Sequence, residues 1–119
     1  MLVFVHGFAA SGAAYYSIYK HLIQKFVLVT IDLIGMGQSS RPDNFKVSDM
    51  TPQKAVDYFT DYIEQWAIEI KLQKFYLAAH SFGGYVSGHY ACKYPHRIHR
   101  LLLISPLGLR VKPPGEDDW

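Results

Sequence analysis

Ala78-Ala79-His80-Ser81-Phe82-Gly83-Gly84 decides the reading of this chain, because an apolar run, Phe75 to Ala79, ends in a serine that two glycines follow almost at once. A buried strand that stops at a serine and opens directly into a helix has the form of a nucleophile elbow, a strained turn that lifts the serine hydroxyl clear of the sheet. The turn needs small residues two positions to either side, so that the backbone can pass close by; here they are Ala79 and Gly83. The pattern is therefore G-x-S-x-G with alanine at the first small site, where a methyl is the least bulky side chain after hydrogen. Serine and glycine are common in turns, so the motif has to be weighed with its neighbours.

Three further segments stand in a consistent order. Leu2-Val3-Phe4-Val5 is a short apolar strand running into His6-Gly7-Phe8. Phe26 to Ile31 reads as a second strand, and it ends in Asp32-Leu33-Ile34-Gly35-Met36-Gly37-Gln38-Ser39, of the form D-x-x-G-x-G-x-S. Tyr94-Pro95-His96-Arg97-Ile98 precedes a further strand, Leu101 to Ile104, which closes with Ser105-Pro106. Together with the elbow these segments resemble the α/β-hydrolase superfamily over nearly the whole chain. Within it, the run Asp32 to Pro42 and Ile104-Ser105-Pro106-Leu107-Gly108-Leu109 look most like the lipid-acting abhydrolase lineage. That lineage includes lysophospholipase-like and N-acyl-phospholipid-lipase-like members, acyltransferase-like members, and some that have lost the nucleophile; Ser81 is present here.

Between the strands the apolar spacing turns helical. Ala14, Ile18, Leu22 and Lys25 mark one face of a first helix, with Tyr15 and Tyr19 alongside, and Ala55, Phe59, Ile63, Trp66 and Ile70 recur at three- and four-residue steps over a longer second one. Thr51-Pro52 supplies a cap and a first-turn proline for the second helix. A third helix is expected from about Phe82 to Lys93, with Pro95 ending it. The order βαβαβαβ is that of an α/β fold, a parallel sheet with crossover helices on both faces.

At 119 residues the chain suits one small domain, whereas a complete α/β-hydrolase is about twice that size, on a larger sheet. The expectation is thus a partial fold: residues 1–110 as the N-terminal core of a larger enzyme, from a fragment or a truncated gene, and residues 111–119, Pro- and acid-rich, as the start of a lid or linker. Half the residues are hydrophobic, and a net charge of +2 is too small to predict nucleic-acid binding. The single cysteine, Cys92, excludes an intrachain disulfide and fits a reducing compartment; its place on the third helix predicts a buried packing residue. Leu2 to Val5 is too short for a signal peptide's apolar region, and no apolar run approaches the roughly 20 residues of a spanning helix. A cytoplasmic or peripheral-membrane location is expected, unless a targeting segment upstream has been lost.

The resemblance also implies where the chemistry lies. In that fold the second strand here flanks the first on one side and the Ser81 strand flanks it on the other, so the winding reverses between them and leaves a crevice at the carboxyl ends of the strands. His6-Gly7-Phe8 and His80-Ser81-Phe82 both leave that edge, from strands about 4.8 Å apart. The resemblance makes Ser81 the nucleophile and the backbone N–H groups of Phe8 and Phe82 the oxyanion hole, with His6, Gly7, His80 and Gly83 in support. Removing such a donor typically costs about 2.7–4 kcal/mol in the transition state. The third helix also aims the positive end of its dipole at the same place.

A serine needs a histidine to take its proton and a carboxylate to orient that histidine, and in this fold both follow the serine in the chain. His96 and His99 belong to the amino-end face of the sheet, His89 is about 12 Å down the third helix, and His21 is well along the first helix. His6 and His80 stand near the site, but each flanks a tight loop, and packing or loop hydrogen bonding is the preferred reading of both. Glu116, Asp117 and Asp118 contain the acid only if it follows this strand; a solvated acidic run is the preferred reading. Asp32 precedes Ser81 and reads as a loop organiser. Gly35-Met36-Gly37 lacks the third glycine of a dinucleotide fingerprint, whose place is Ser40, and His96-x-x-His99 lacks a second pair of metal ligands. Lys93, Arg97 and Arg100 form a basic patch with the charge to rest on anionic lipid headgroups, but ordinary surface charge is the preferred reading.

The expected function is that of a serine hydrolase core acting on carboxylic ester or acyl-lipid substrates by acyl transfer through Ser81 to water or a lysolipid, without metal or organic cofactor. As an isolated chain, lacking the acid and the histidine, it is expected to be inactive. The competing expectation is a non-catalytic α/β module or assembly subunit whose sheet edges a partner chain covers.

Overall fold

Four short apolar runs become strands and the amphipathic stretches between them become crossover helices. The structure, a computed structural model, describes residues 1–43 and 45–108. The predicted lid or linker at 111–119, with Glu116, Asp117 and Asp118, lies outside the described residues, as does Leu109. The strands are β1 (Leu2–Val5), β2 (Leu28–Ile31), β3 (Phe75–His80) and β4 (Ile98–Ile104); the helices are α1 (Tyr16–Leu22), α2 (Pro52–Glu69) and α3 (Ser81–Lys93). All pairings are parallel, in the order β2-β1-β3-β4. β1 is buried along its whole length, as a central parallel strand covered on both faces must be.

The helices divide between the two faces of the sheet. Val3, Val5, Phe75, Leu77 and Ala79 pack with Ile63 and Ala67 of α2 and Val86 and Tyr90 of α3. On the other face Leu2, Phe4 and Ala78 pack with Tyr15, Leu22 and Phe26. The α/β parallel sheet with helices on both faces is therefore as expected. Thr51 caps α2 by accepting a hydrogen bond from the Lys54 N–H at 3.2 Å, and Pro52 follows in the first turn.

Several boundaries and burials differ from the sequence expectation, each for a local reason. β2 begins at Leu28, not Phe26, because the Lys25 and Phe26 N–H groups still close the end of α1 onto the Leu22 carbonyl. β4 begins at Ile98, three residues before Leu101. α1 is shorter than expected: Ala14 and Tyr15 lie in the turn before it and Lys25 beyond its end. Tyr15 and Tyr19 pack against Phe4, with ring centroids 4.8 and 6.2 Å from it, while Ala14 and Ile18 face solvent. Ile70 is also exposed, since α2 ends at Glu69 and the chain leaves through Lys71 at a φ of 57°. Cys92, expected in the core, is exposed: α3 buries the face of Gly83, Val86, Ser87 and Tyr90, and Cys92 points away from it.

One polar cluster ties α2 to α3 and β4. The Arg97 guanidinium donates to Glu64 Oε1 at 2.6 Å and to the Leu72 carbonyl at 2.8 Å, and the Tyr90 hydroxyl donates to Glu64 Oε2 at 2.7 Å. Only 11% and 10% of the Arg97 and Glu64 side chains remain in water. Lys93 bridges Asp57 and Asp61 at 2.6 and 2.7 Å. Two of the three cations in the predicted basic patch are therefore already paired within the fold.

Burial works to raise the Glu64 carboxyl, but the hydrogen bonds from Arg97 and Tyr90 and the Arg97 charge outweigh it and hold it below the ordinary glutamate value. A depressed folded-state value stabilises fully above the unfolded value, about 4.3, and the contribution is lost as pH falls through the folded value. Arg97→Ala is expected to lower stability by about 3 kcal/mol at neutral pH, the low end for a buried pair because part of each side chain is solvated. The difference from the parent should shrink below about pH 4. Urea titrations at pH 7 and pH 3.5 check this; an unchanged difference would assign the loss to packing alone.

The outer edges of β2 and β4 are unpaired among the described residues, and Val27, Leu102 and Leu107 are 67%, 59% and 52% exposed. Residues 1–119 produced alone are expected to self-associate through these edges. Sedimentation velocity that finds a stable monomer would contradict it.

Candidate active site

Ser81 is the first residue of α3 and follows directly on β3, and its φ of 53° lies in the left-handed region that non-glycine residues rarely adopt. The conformation is imposed by what lies beneath it. A Cβ on Gly83 would collide with the His6 carbonyl oxygen and stand 2.9 Å from that of Val5, so only glycine lets the first turn of α3 settle onto the end of β1. Ala79, at the other small site, is fully buried and its methyl joins the core beneath the sheet. The loop after β4 is tied to the elbow by the Leu107 N–H, which donates to the Ser81 carbonyl at 3.2 Å.

The His6-Gly7 loop is drawn against the serine from the neighbouring strand. A Cβ placed on Gly7 would be 3.2 Å from the Ser81 Cβ and from His80 Nδ1. The Gly7 N–H donates to the Tyr15 hydroxyl at 3.2 Å, and that hydroxyl lies 2.8 Å from His80 Nδ1. Tyr15 thus joins both predicted site loops. Sequence reasoning noted it only as a residue beside the α1 face, because a cross-link over 65 positions leaves no periodic signal. Phe8 and Phe82 follow these two loops, and their rings meet edge to face at 6.2 Å.

His6 is fully buried and both its nitrogens are engaged. Nε2 accepts from the Leu33 N–H at 3.0 Å, so Nδ1 carries the proton and donates to the Gly7 carbonyl at 2.6 Å. The ring is neutral, and its 3.7 Å approach to Asp32 is not an ion pair. Asp32 accepts from the Gly12 N–H at 2.6 Å and the Gln38 N–H at 2.8 Å, while its carbonyl accepts from the Ser39 hydroxyl at 2.6 Å. Burial works to raise its carboxyl, and the Gln38 and Gly12 N–H groups outweigh that and hold it below the ordinary aspartate value. Gly37, at a φ of 52°, lies so close to the carboxylate that a Cβ there would strike it. Asp32 is therefore occupied with organising its own loop.

The other histidines are elsewhere. His21 is exposed on α1, and His89 is exposed on α3 against the Tyr85 ring. His96 lies in the turn before β4, and His99, second residue of that strand, stacks on Tyr76 at the amino end of the sheet. Among the described residues the Ser81 hydroxyl has no hydrogen-bond partner, no set of three or more metal-ligating side chains converges, and no helix is long and apolar enough to cross a membrane. A cleft of about 460 Å³ opens beside the elbow, lined by Phe8, Phe82, Phe59, Phe45, Met36 and Arg41 among others.

Comparison with known proteins adds the family to this geometry. A family described as alpha/beta hydrolase fold matches residues 1–119. The chain is 34% identical over 118 residues to an Arabidopsis thaliana protein named 1-acylglycerol-3-phosphate O-acyltransferase, covering 99% of this chain and 28% of that one. It is 35% identical over 117 residues to the Homo sapiens (lyso)-N-acylphosphatidylethanolamine lipase, covering 98% of this chain and 33% of that one. Among solved structures, a membrane phospholipase A described as a bacterial virulence factor superposes with a TM-score of 0.79 at 27% identity, over 92% of this chain and 33% of that one. The chain thus spans between a quarter and a third of the length of the curated relatives it matches. With a matching family over its whole length and the parallel strand order β2-β1-β3-β4, this chain belongs to the alpha/beta-hydrolase fold family.

Proposed function

We propose that this chain carries the nucleophile and oxyanion hole of a serine acyltransfer site that acts on lipid esters. The observation that carries the proposal is Ser81 at a φ of 53°, at a strand-to-helix junction that Gly83 holds against the His6 and Val5 carbonyls. Strain of this kind costs on the order of 1–3 kcal/mol and persists where surrounding structure over-determines it, as happens at reactive residues. The relatives named as an acyltransferase and a lipase of acylated phospholipids support a lipid ester as the substrate.

The chemistry follows from the parts. The Ser81 oxygen adds to the ester carbonyl as its proton passes to a base. The negative charge that develops on the carbonyl oxygen is met by the Phe8 and Phe82 N–H groups and by the N-terminus of α3. Collapse of the tetrahedral species expels the alcohol, which takes the proton from the base, and leaves an acyl-serine. Water or a lysolipid hydroxyl then repeats the sequence in reverse and frees the serine. No described histidine is positioned as the base, so the proposal assigns the base and its carboxylate to residues outside those described, in the chain order usual for this fold.

In the intact protein, Ser81→Ala is expected to abolish labelling by a fluorophosphonate and to lower kcat for a lipid ester by about 10⁶-fold. Stability should stay within about 0.5 kcal/mol of the parent, since alanine keeps the backbone strain and loses no buried contact. Ser81→Gly is expected to gain about 1 kcal/mol in urea unfolding by relieving the left-handed conformation. Unchanged labelling and turnover in Ser81→Ala would remove the proposal. Product analysis with and without added lysolipid separates hydrolysis from transfer.

A further inference from the structure

The cleft beside Ser81 has an aromatic wall and one charged lining residue. Phe82 meets Phe8 at 6.2 Å and Phe59 at 5.3 Å, and Phe59 meets Phe45 at 6.1 Å, so the rings run from the elbow to the loop after β2. Arg41 lines the same cleft, as do Pro42 and Phe45. Its guanidinium makes a long 3.5 Å contact with the Gly37 carbonyl, and among the described residues no carboxylate lies within ion-pair distance of it. Arg97 and Lys93, by contrast, each hold carboxylates at 2.6 Å. A cleft of about 460 Å³ falls in the size range of small-molecule sites, roughly 300–1,000 Å³.

We propose that Arg41 is the anion-recognising residue of this site, and that the ester it takes bears a phosphate group, with its apolar part on the Phe82–Phe59–Phe45 wall and its phosphate at Arg41. The inference rests on Ser81 being the nucleophile, which fixes where the ester carbonyl stands. A guanidinium presents a planar fork of donors that matches two phosphate oxygens at once, which an ammonium does not. An uncharged acylglycerol would cover the same wall and leave Arg41 in water, forgoing that interaction. The exposed arginine costs little to keep in the free protein, and it adds affinity only when an anion arrives.

The same chemistry is offered by a substrate phosphate and by the headgroups of an anionic membrane, and the test separates them. The intact protein and its Arg41→Gln and Arg41→Lys variants are assayed on a short-chain 1-acylglycerol 3-phosphate and on the matching monoacylglycerol, both below their aggregation concentrations and without membrane. Arg41→Gln is expected to lower kcat/KM for the phosphate ester about tenfold, mainly through KM, as loss of a hydrogen bond to a charged group does. The monoacylglycerol should change by less than about twofold, and Arg41→Lys should recover part of the loss. Equal losses on both esters, or none on either, overturn the proposal. So does a loss seen only with monoacylglycerol in phosphatidylserine vesicles and absent in phosphatidylcholine vesicles, which assigns Arg41 to membrane contact. Calorimetric binding of the phosphate ester to Ser81→Ala, with and without Arg41→Gln, judges the anion site alone: about tenfold weaker binding supports it, and unchanged binding overturns it. Turnover that survives Ser81→Ala instead sinks the nucleophile reading without touching this readout.

Discussion

The close approach of Gly83 to the carbonyls of Val5 and His6 is the constraint on which the rest of this site depends. A side chain there would push α3 away from β1, and the serine two residues earlier would drop out of the left-handed turn that presents it. Because α3 carries the buried Val86 and Tyr90 in the face that meets α2, lifting its first turn would also loosen the main core. The strain at Ser81 is therefore held by burial on one side of the sheet and by backbone contact at its edge. A residue kept in an unfavourable conformation needs that kind of double support.

The second requirement is that two loops from adjacent strands stand against each other without filling the crevice. Here the fold uses fixed polar contacts. His6 is locked as a neutral ring between Leu33 and Gly7, Tyr15 spans Gly7 and His80, and Asp32 holds Gly12 and Gln38. Each of these side chains is titratable, and most of its contacts are taken up in holding backbone. A pre-set loop needs no reorganisation when charge develops beside it, which is where such sites gain most of their rate. The ion pair of Glu64 and Arg97 serves a different end, fastening the far side of α2 and α3 away from the crevice.

Much of the fold and part of the site were legible in the residues because both rest on local signals. Strand runs such as Leu2–Val5 and Phe75–His80, the Thr51-Pro52 helix start and the stop at Pro95 act within a few positions, so periodicity and turn chemistry are enough to find them. The elbow was visible for the same reason, since its strain is imposed by the small residues two places to either side. The failures came where a face had to be chosen. Cys92 and Ile18 both lie on helices, as expected, but which side of each helix meets the sheet is decided by partners distant in the chain, and both ended in solvent.

The amino-acid sequence by itself determined the alternation of strand and helix, the parallel sheet and the identity of the serine at the turn, because each follows from steric and hydrogen-bonding rules that span only a few residues. The tertiary structure alone decided that Tyr15 joins the two site loops, that His6 is a structural ring with no free nitrogen, that Asp32 is committed to its loop, and that Arg41 lines an aromatic cleft with no carboxylate partner among the described residues. Those facts depend largely on contacts between distant positions, up to the 65 that separate Tyr15 and His80. Such contacts are settled by how the layers pack, and packing couples every residue to partners that no local pattern records.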